Sequence, residues 1–500
     1  MNSTACSLSA IQTPVVYGAD ILSMSATWVS NFTRTVPADF NYNHGEIDVR
    51  SAQFCNITVT YTHPGYDDRI TVEAWLPRQW NGRLQGTGGG GWQAGRFVLS
   101  DFFMAGAVGE GYATTTTDAG LGDAVNPSIW ALKTPGNVDM IAMQNLGSRS
   151  LNDQAIIGKS LVQGFYGRKP EYSYWSGCSQ GGRQGLMLAQ RYPTAYDGIA
   201  ASAPAQAWTK LNSGLYYPSL MKVWHNVDPL ACELDFLTAE AIAECDPKDG
   251  VRDGIISNLT ACNYNPYTSV NKTFLCPSLN RTIPLSQGAA MIAEAAWSGP
   301  KTDDGDVLWY GVNPGSDISS FGAVPGQHSM SQDLWFNLFI ARNASFDAAT
   351  LSREEYLEFF HLAVQQYSDI MNAADPDLTT FRKAGGKLIT YHGMIDPSIP
   401  TKGTEFYYNS VQEAFPDAPE FYRFFESPGL AHCSGGKGGQ PTTVFDALRD
   451  WVENGTAPET LPVEYTGPNG ETLARFLCPY PAKAQYMGGN VSLADSFRCV

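Results

Sequence analysis

The sequence predicts an α/β fold, a sheet core interrupted late in the chain by a large insertion. Three observations predict it. Tyr172 to Ser176 (YSYWS) is rich in the aromatics that favour a strand, and Gly182 to Tyr192 (GRQGLMLAQRY) reads as a helix with Leu186, Leu188 and Ala189 on its apolar face. Between them lies Gly177-Cys178-Ser179-Gln180-Gly181, of the form G-x-S-x-G. Strand, sharp turn and helix together make the setting of a nucleophile elbow, in which the serine hydroxyl projects into a pocket. The third observation is a change of texture after Pro204. From about Ala205 to Asp375, Trp, Tyr and Phe are scattered among loops rich in Pro, Asn and Ser. The expected organisation is therefore a catalytic domain of residues 1–204 and 376–500, with an inserted lid domain over 205–375.

Five hundred residues suffice for a large core, and 43% hydrophobic with 12% aromatic residues describe a folded chain. No apolar run approaches the ~20 residues of a membrane span. A net charge of −17 argues against nucleic acid or anionic membranes as partners. Ten cysteines, an even number, accompany N-x-S/T sequons at Asn2, Asn31, Asn56, Asn258, Asn271, Asn280, Asn343, Asn454 and Asn490. That combination predicts a secreted, disulfide-bonded glycoprotein. The start, MNSTACSLSA, has neither the basic nor the apolar region of a signal peptide.

In chain order, residues 1 to about 60 read as loop-rich. Asn56–Tyr61 and Arg69–Leu76 alternate apolar and polar side chains and predict the antiparallel start of a sheet. Leu84 to Gly91 (LQGTGGGG) follows. A glycine run after a short strand lets backbone approach a ligand closely, and Gly89 and Gly90 are candidate oxyanion donors opposite the N–H of Gln180. The alternative is a flexible turn; no G-K-S/T follows to make it a phosphate loop. Glu110–Thr117 reads as a β-branched strand, Val138–Phe165 as a long helix and Gly198–Pro204 as the next core strand. After the insertion, the strand Gly386–Tyr391 leads to His392 and Asp396, and the strand Phe421–Glu426 leads to His432 in a glycine-rich loop. Residues 442–453 form an amphipathic helix.

Ser179, Asp396 and His432 stand in the Ser…Asp…His order of α/β-hydrolases. Ser179 is the candidate nucleophile, His432 its base, and Asp396 the group that fixes the imidazole. Of seven histidines, His392 competes because it lies near Asp396, yet it reads better as a packed strand-end residue. His361 sits in an apparent helix and reads as structural. Cys178 precedes the serine and Cys433 follows the histidine. Paired, they hold the two loops together; two unrelated buried thiols are the alternative. By elimination the remaining bridges are Cys6–Cys55, Cys245–Cys262, Cys478–Cys499 and Cys232–Cys276. Within the insertion, Cys245-Asp-Pro-Lys-Asp-Gly-Val-Arg-Asp-Gly-Ile-Ile256 places Asp246, Asp249 and Asp253 within eight positions. Three carboxylates so close repel unless a cation sits among them, and carboxylates with the Val251 and Ile255 carbonyls suit structural Ca²⁺. A solvated acidic turn is the alternative.

These residues carry a resemblance. A cysteine beside the serine, a cysteine beside the histidine and the loop C-D-x-x-D-G-x-x-D-G-I-I are similar to those of the tannase and feruloyl esterase family. GCSQGGRQG, YHGMIDP, FYRFF and DWVENGTAPE resemble fungal feruloyl esterases in particular. The resemblance implies an α/β-hydrolase core with a lid, the triad Ser179, Asp396 and His432, and a disulfide linking Cys178 to Cys433. It also implies calcium at Asp246, Asp249, Val251, Asp253 and Ile255, and an oxyanion donor near Gly89 and Gly90. The implied activity is hydrolysis of a small aromatic ester or a feruloylated saccharide with no organic cofactor. Galloyl esters are the alternative substrate, and Ile399, three residues after Asp396, is expected to line the pocket. A reading from another class is a non-catalytic carbohydrate-binding glycoprotein on a hydrolase scaffold.

Overall fold

A computed structural model describes residues 6–122, 125–322 and 334–500. Its centre is a nine-stranded sheet built from β1 (Asp20–Val36), β2 (Ile47–Thr62), β3 (Ile70–Pro77), β4 (Arg83–Thr87), β5 (Ala113–Thr117), β6 (Tyr172–Cys178), β7 (Gly198–Ser202), β8 (Lys387–Gly393) and β9 (Tyr422–Ser427). The spatial order is β1-β2-β3-β5-β4-β6-β7-β8-β9. The first three strands and the β3–β5 pair are antiparallel. From β5 onward every pairing is parallel. A parallel sheet is stable only when both faces are covered. Here α2 (Ser150–Tyr166), α3 (Gln180–Arg191) and α9 (Thr401–Ala414) pack on one face. The other face is closed by α1 (Val98–Gly109) and α10 (Val444–Asn454), whose Phe445, Leu448 and Trp451 enter the core.

The N-terminal reading needs correction. The stretch expected to be loop-rich contains β1 and much of β2, long antiparallel partners paired from Asp20↔Thr62 to Val36↔Ile47 with register shifts after Ile21, Val29 and Phe32. β1 is largely polar and solvent-facing, so its alternation lacks the hydrophobic contrast that marks a half-buried strand. The expected strand at Glu110 begins only at Ala113, because α1 runs to Gly109 and Gly111 turns the chain at φ +86°. The long helix expected over Val138–Phe165 is a series: Met140–Gln144, a π-helical turn Asn145–Arg149, then α2.

Between β7 and β8 lie α4 (Trp208–Leu215), α5 (Tyr217–His225), α6 (Ala231–Cys245), α7 (Gln287–Ser298) and α8 (Arg353–Met371). Much of this segment is helical rather than loop, and its aromatics form a core of their own with Trp92 and Ile399 from the sheet side. All five disulfides are present as read: Cys6–Cys55, Cys178–Cys433, Cys232–Cys276, Cys245–Cys262 and Cys478–Cys499. Asn2 lies outside the described residues. Asn31, Asn271, Asn280, Asn343, Asn454 and Asn490 are exposed, and Asn258 is half-buried. Asn56 is different, because its amide nitrogen, the atom a glycan would join, donates to Glu73 Oε1 at 3.0 Å from within the sheet. Among the described residues, no helix is long and apolar enough to cross a membrane.

Candidate active site

β6 delivers Ser179 at φ +63°, ψ −122°, a left-handed conformation that only a tightly bounded turn imposes on serine. Two glycines make the turn achievable. A Cβ on Gly177 would lie 2.5 Å from the carbonyl carbon of Gly181, and one on Gly182 would lie 2.2 Å from Ser202 O. The turn is pinned by Ser179 N–H to Ser202 O at 3.0 Å and by Arg183 N–H to Ser179 O at 2.9 Å. Ser179 stays half-buried at the start of α3, where the helix N-terminus favours negative charge.

β8 and β9 bring the other two residues from 217 and 253 positions further along. His432 Nδ1 donates to Asp396 Oδ2 at 2.7 Å, which leaves Nε2 as the imidazole's free acceptor. Asp396 is wholly buried, and its Oδ1 accepts the N–H groups of Ser398 and Ile399 at 2.8 and 2.9 Å. Burial pushes this carboxyl up, but the His432 charge and the hydrogen bonds from His392 and His432 outweigh it and hold it well below the usual range. Burial pulls His432 down, and Asp396 more than reverses that, so its pKa is raised. A lowered carboxyl stabilises the fold above its unfolded pKa; a raised imidazole does so below its own. The pair therefore contributes fully between about pH 4 and 6.5, losing its effect in acid as Asp396 protonates and in base as His432 deprotonates. The Cys178–Cys433 bridge, with Cα atoms 6.0 Å apart, ties the residue before the serine to the residue after the histidine. Among the described residues, no hydrogen bond joins Ser179 Oγ to His432; such contacts commonly tighten only with substrate.

The glycine run stands beside the elbow as expected: Gly181 N–H donates to Gly89 O at 3.1 Å. The donors assigned to it need correction. Gly89 N–H is held by Gln184 Oε1 at 2.9 Å, and Gly90 N–H by Gln93 O at 3.1 Å. Both groups are engaged inside the loop, so in this conformation they buttress the elbow. Gln180 N–H, at the first position of α3, makes no hydrogen bond among the described residues and remains the available donor. Trp92 carries the loop onward into the inserted segment, stacking on Phe339 at 5.1 Å and meeting Trp208 edge-on at 4.9 Å. Ile399 joins the same aromatic cluster and is 6% exposed.

Two supports were not singled out beforehand. Gln184 clamps the glycine loop to α3 from both amide atoms, its Nε2 reaching Ala94 O at 2.9 Å. Arg183 is fully buried and has no carboxylate partner among the described residues. It donates to Gln180 Oε1, Gly147 O, Leu146 O and Met371 O at 2.7 to 3.1 Å, and its guanidinium lies 5.8 Å from the Trp208 ring. Burial, with Arg191 adding repulsion, pushes it down to about 9, still cationic at neutral pH. Leu146 and Gly147 belong to the π-helical turn, where the regular ladder is interrupted and carbonyls are free for other donors. The available signal was a charge three residues before Leu186, on the helix's apolar face.

In the acidic loop, Gly250 and Gly254 take positive φ, and Asp246 turns its oxygens inward to the N–H groups of Asp253 and Gly254 at 3.2 Å. Asp249, Val251 and Asp253 line a cavity of about 60 Å³. Asp253 Oδ2 is met by Tyr465 and Arg475, whereas its Oδ1 is buried without a hydrogen-bond partner among the described residues. Burial, reinforced by the charges of Asp253 and Asp246, pushes Asp249 up to about 6. Among the described residues, no three acidic, histidine or cysteine side chains already converge on one point. The orphaned oxygen, two carboxylates and small cavity nevertheless fit a hard cation.

The parallel sheet and the elbow between β6 and α3 define an α/β-hydrolase. A family description, "Tannase and feruloyl esterase", matches residues 55–500. The chain belongs to the tannase and feruloyl esterase family, and it is a carboxylic ester hydrolase. It is 35% identical over 508 residues to a protein of Arthroderma benhamiae named "Probable feruloyl esterase", covering 98% of this chain and 93% of that one. It is 32% identical to feruloyl esterase B of Aspergillus niger, over 90% and 87% of the two chains. Among solved structures, tannin acyl hydrolase from Aspergillus niger superposes with a TM-score of 0.88 at 26% identity, over 100% and 95% of the two chains. Feruloyl esterase B from Aspergillus oryzae follows at 0.81 and 25%, over 99% of each.

Proposed function

We propose that this enzyme is secreted and hydrolyses hydroxycinnamoyl esters, of the feruloyl type, from plant cell-wall material. The observation that carries the reading is the Asp396–His432 hydrogen bond held beside the strained Ser179 turn by the Cys178–Cys433 bridge. Ser179 Oγ attacks the ester carbonyl while His432 Nε2 accepts its proton. The tetrahedral oxyanion develops at the N-terminus of α3, against Gln180 N–H. His432 then protonates the departing alcohol, and water releases the aromatic acid from the acyl-enzyme. Because His432 works as a neutral base with a raised pKa, kcat/KM rises with pH as the imidazole loses its proton.

The named relatives support the feruloyl reading. A specific observation also favours tannin esters: the tannin acyl hydrolase superposes with the higher TM-score. Initial rates on methyl ferulate, methyl caffeate and methyl gallate decide. Cinnamates are expected to be cleaved at least about tenfold faster than gallate, a difference a shaped pocket readily supplies. Gallate ahead would make the enzyme a tannase; no serine-dependent rate on any ester would return the scaffold to a binding role.

The loop Asp246–Ile255 is part of the same proposal as a structural Ca²⁺ site, with Asp246, Asp249 and Asp253 and the carbonyls of Val251 and Ile255 as its holders. Chelation is expected to lower the thermal midpoint by about 3 °C, from a stabilisation of about 3 kcal/mol at a hundredfold excess of cation over Kd in a chain of this length. Calcium, not magnesium, restores it. A midpoint indifferent to chelator, in protein shown metal-free by mass spectrometry, would remove the ion from the fold.

A further inference from the structure

His392 lies on β8 with its side chain wholly out of solvent. Its ring makes three contacts. Nε2 is 3.1 Å from Asp396 Oδ2 and 3.0 Å from Ile399 O, and Nδ1 is 2.8 Å from Thr404 Oγ1 on α9. Two acceptors face Nε2, so the network assigns the proton there, and the Thr404 hydroxyl donates to Nδ1. Asp396 Oδ2 thus receives two imidazoles, His392 and His432, while the Ile399 carbonyl is tied back to the His392 ring.

We propose that His392 is a positioning residue of the triad, donating a second imidazole hydrogen bond to Asp396 that sets how strongly this carboxylate holds the proton on His432. The inference rests on the esterase reading of Ser179, Asp396 and His432 and assigns a regulator of that site. A carboxylate shared between two N–H donors offers less electron density to either. With His392 in place, His432 is freed of its proton at a lower pH than Asp396 alone would allow. The tether to Ile399 O also keeps the 396–399 turn in the shape that aims the Ser398 and Ile399 N–H groups at Oδ1. Fixing the orienting acid through its own outer partner is a general device for holding an imidazole in one tautomer.

The surrounding charges leave His392 to this task. Glu426 is registered opposite His392 on β9, but its carboxyl hydrogen-bonds with Glu405 of α9. Burial, and then the Glu405 charge, push Glu426 up to about 8, so it is largely neutral in mild acid. Tyr391, the preceding residue on β8, donates its hydroxyl to Cys433 O at 2.7 Å; burial raises its phenol, which therefore carries no charge into the site. From α9, the ring receives the Thr404 hydroxyl, an uncharged partner.

The test compares His392→Gln with His392→Asn. The glutamine amide reaches the place of Nε2 and keeps a donor toward Asp396; the asparagine amide reaches only the place of Nδ1. His392→Asn is expected to lose about tenfold in kcat with KM within about twofold, the size of one lost charge-assisted hydrogen bond. Its acidic limb in kcat/KM is expected to move up by about half a pH unit. His392→Gln is expected to recover most of kcat and the wild-type limb. In parallel, the low-field proton resonance of His432 Nδ1, assigned by its loss in His432→Gln, is followed against pH without substrate. It is expected to titrate higher in His392→Asn than in wild type and His392→Gln. An activity loss uniform across pH, with the resonance titrating as in wild type, would reduce His392 to packing and overturn the proposal. The resonance decides this even if the wild-type protein cleaves no ester, an outcome that would sink the esterase reading alone.

Discussion

Ser179→Ala is expected to abolish turnover of any accepted aromatic ester, lowering kcat by about 100,000-fold or more, with the fold intact. Removing a serine nucleophile removes the acyl-enzyme route altogether, and what remains is binding and whatever stabilisation the α3 N-terminus gives to attack by water. The fold is expected to tolerate the change. The strain at Ser179 belongs to the backbone, at φ +63°, and alanine bears it as serine does. The pins of the turn are backbone groups, from Ser202 O to Arg183 N–H, and the hydroxyl takes no part in them. Thermal unfolding should therefore match wild type within about 1 °C. A fluorophosphonate should add its mass to the wild-type chain and not to the variant. Residual turnover above about one part in a thousand, with the thermal midpoint unchanged, would mean that another group is the nucleophile.

Arg183→Met is expected to be the most damaging single change of fold among the supports of the site. It leaves four buried acceptors, Gln180 Oε1 and the carbonyls of Leu146, Gly147 and Met371, without their donor. Each orphaned acceptor costs about 1–3 kcal/mol, partly offset because a buried cation no longer has to be desolvated. The net loss should be about 4 kcal/mol, read as a shift of the urea midpoint. Arg183→Lys, with one ammonium in place of the planar fork, should fall between the two. Activity should fall as well, because Gln180 loses the tether on its side chain while its N–H is the available oxyanion donor. A urea midpoint unmoved by Arg183→Met would show that the carbonyls find other donors and that the guanidinium is not what binds α8 to the elbow.

Much of the site was legible because its signals are local. The elbow is a pentapeptide with one more glycine directly after it, and contacts closer than a Cβ permits demand glycine at Gly177 and Gly182. The acidic loop spans eight positions between Asp246 and Asp253. Asp396 and His432 each follow a short apolar strand, and strand ends are where a parallel sheet presents its chemistry. The long β1 strand was missed for the converse reason, since its solvent-facing side chains give the alternation little contrast. The inserted helices were missed where aromatics, which serve strands and helices alike, dominate the pattern.

By itself, then, the sequence carried the class of fold, the order of the candidate residues Ser179, Asp396 and His432, and the resemblance that pointed to the family. Each rests on short local motifs, whose residue types can be read without knowing what packs against them. Only the tertiary structure decided where the backbone hydrogen bonds of distant segments go. Gly89 N–H is taken by Gln184, ninety-five residues away. Arg183 is caught by Met371 O across 188 residues. His392 is turned onto Asp396 and Ile399 rather than toward Ser179. Every residue carries a C=O and all but proline an N–H, so no side-chain pattern announces which of them will face a particular guanidinium or imidazole. That is settled when burial forces each polar group to find a partner inside the fold.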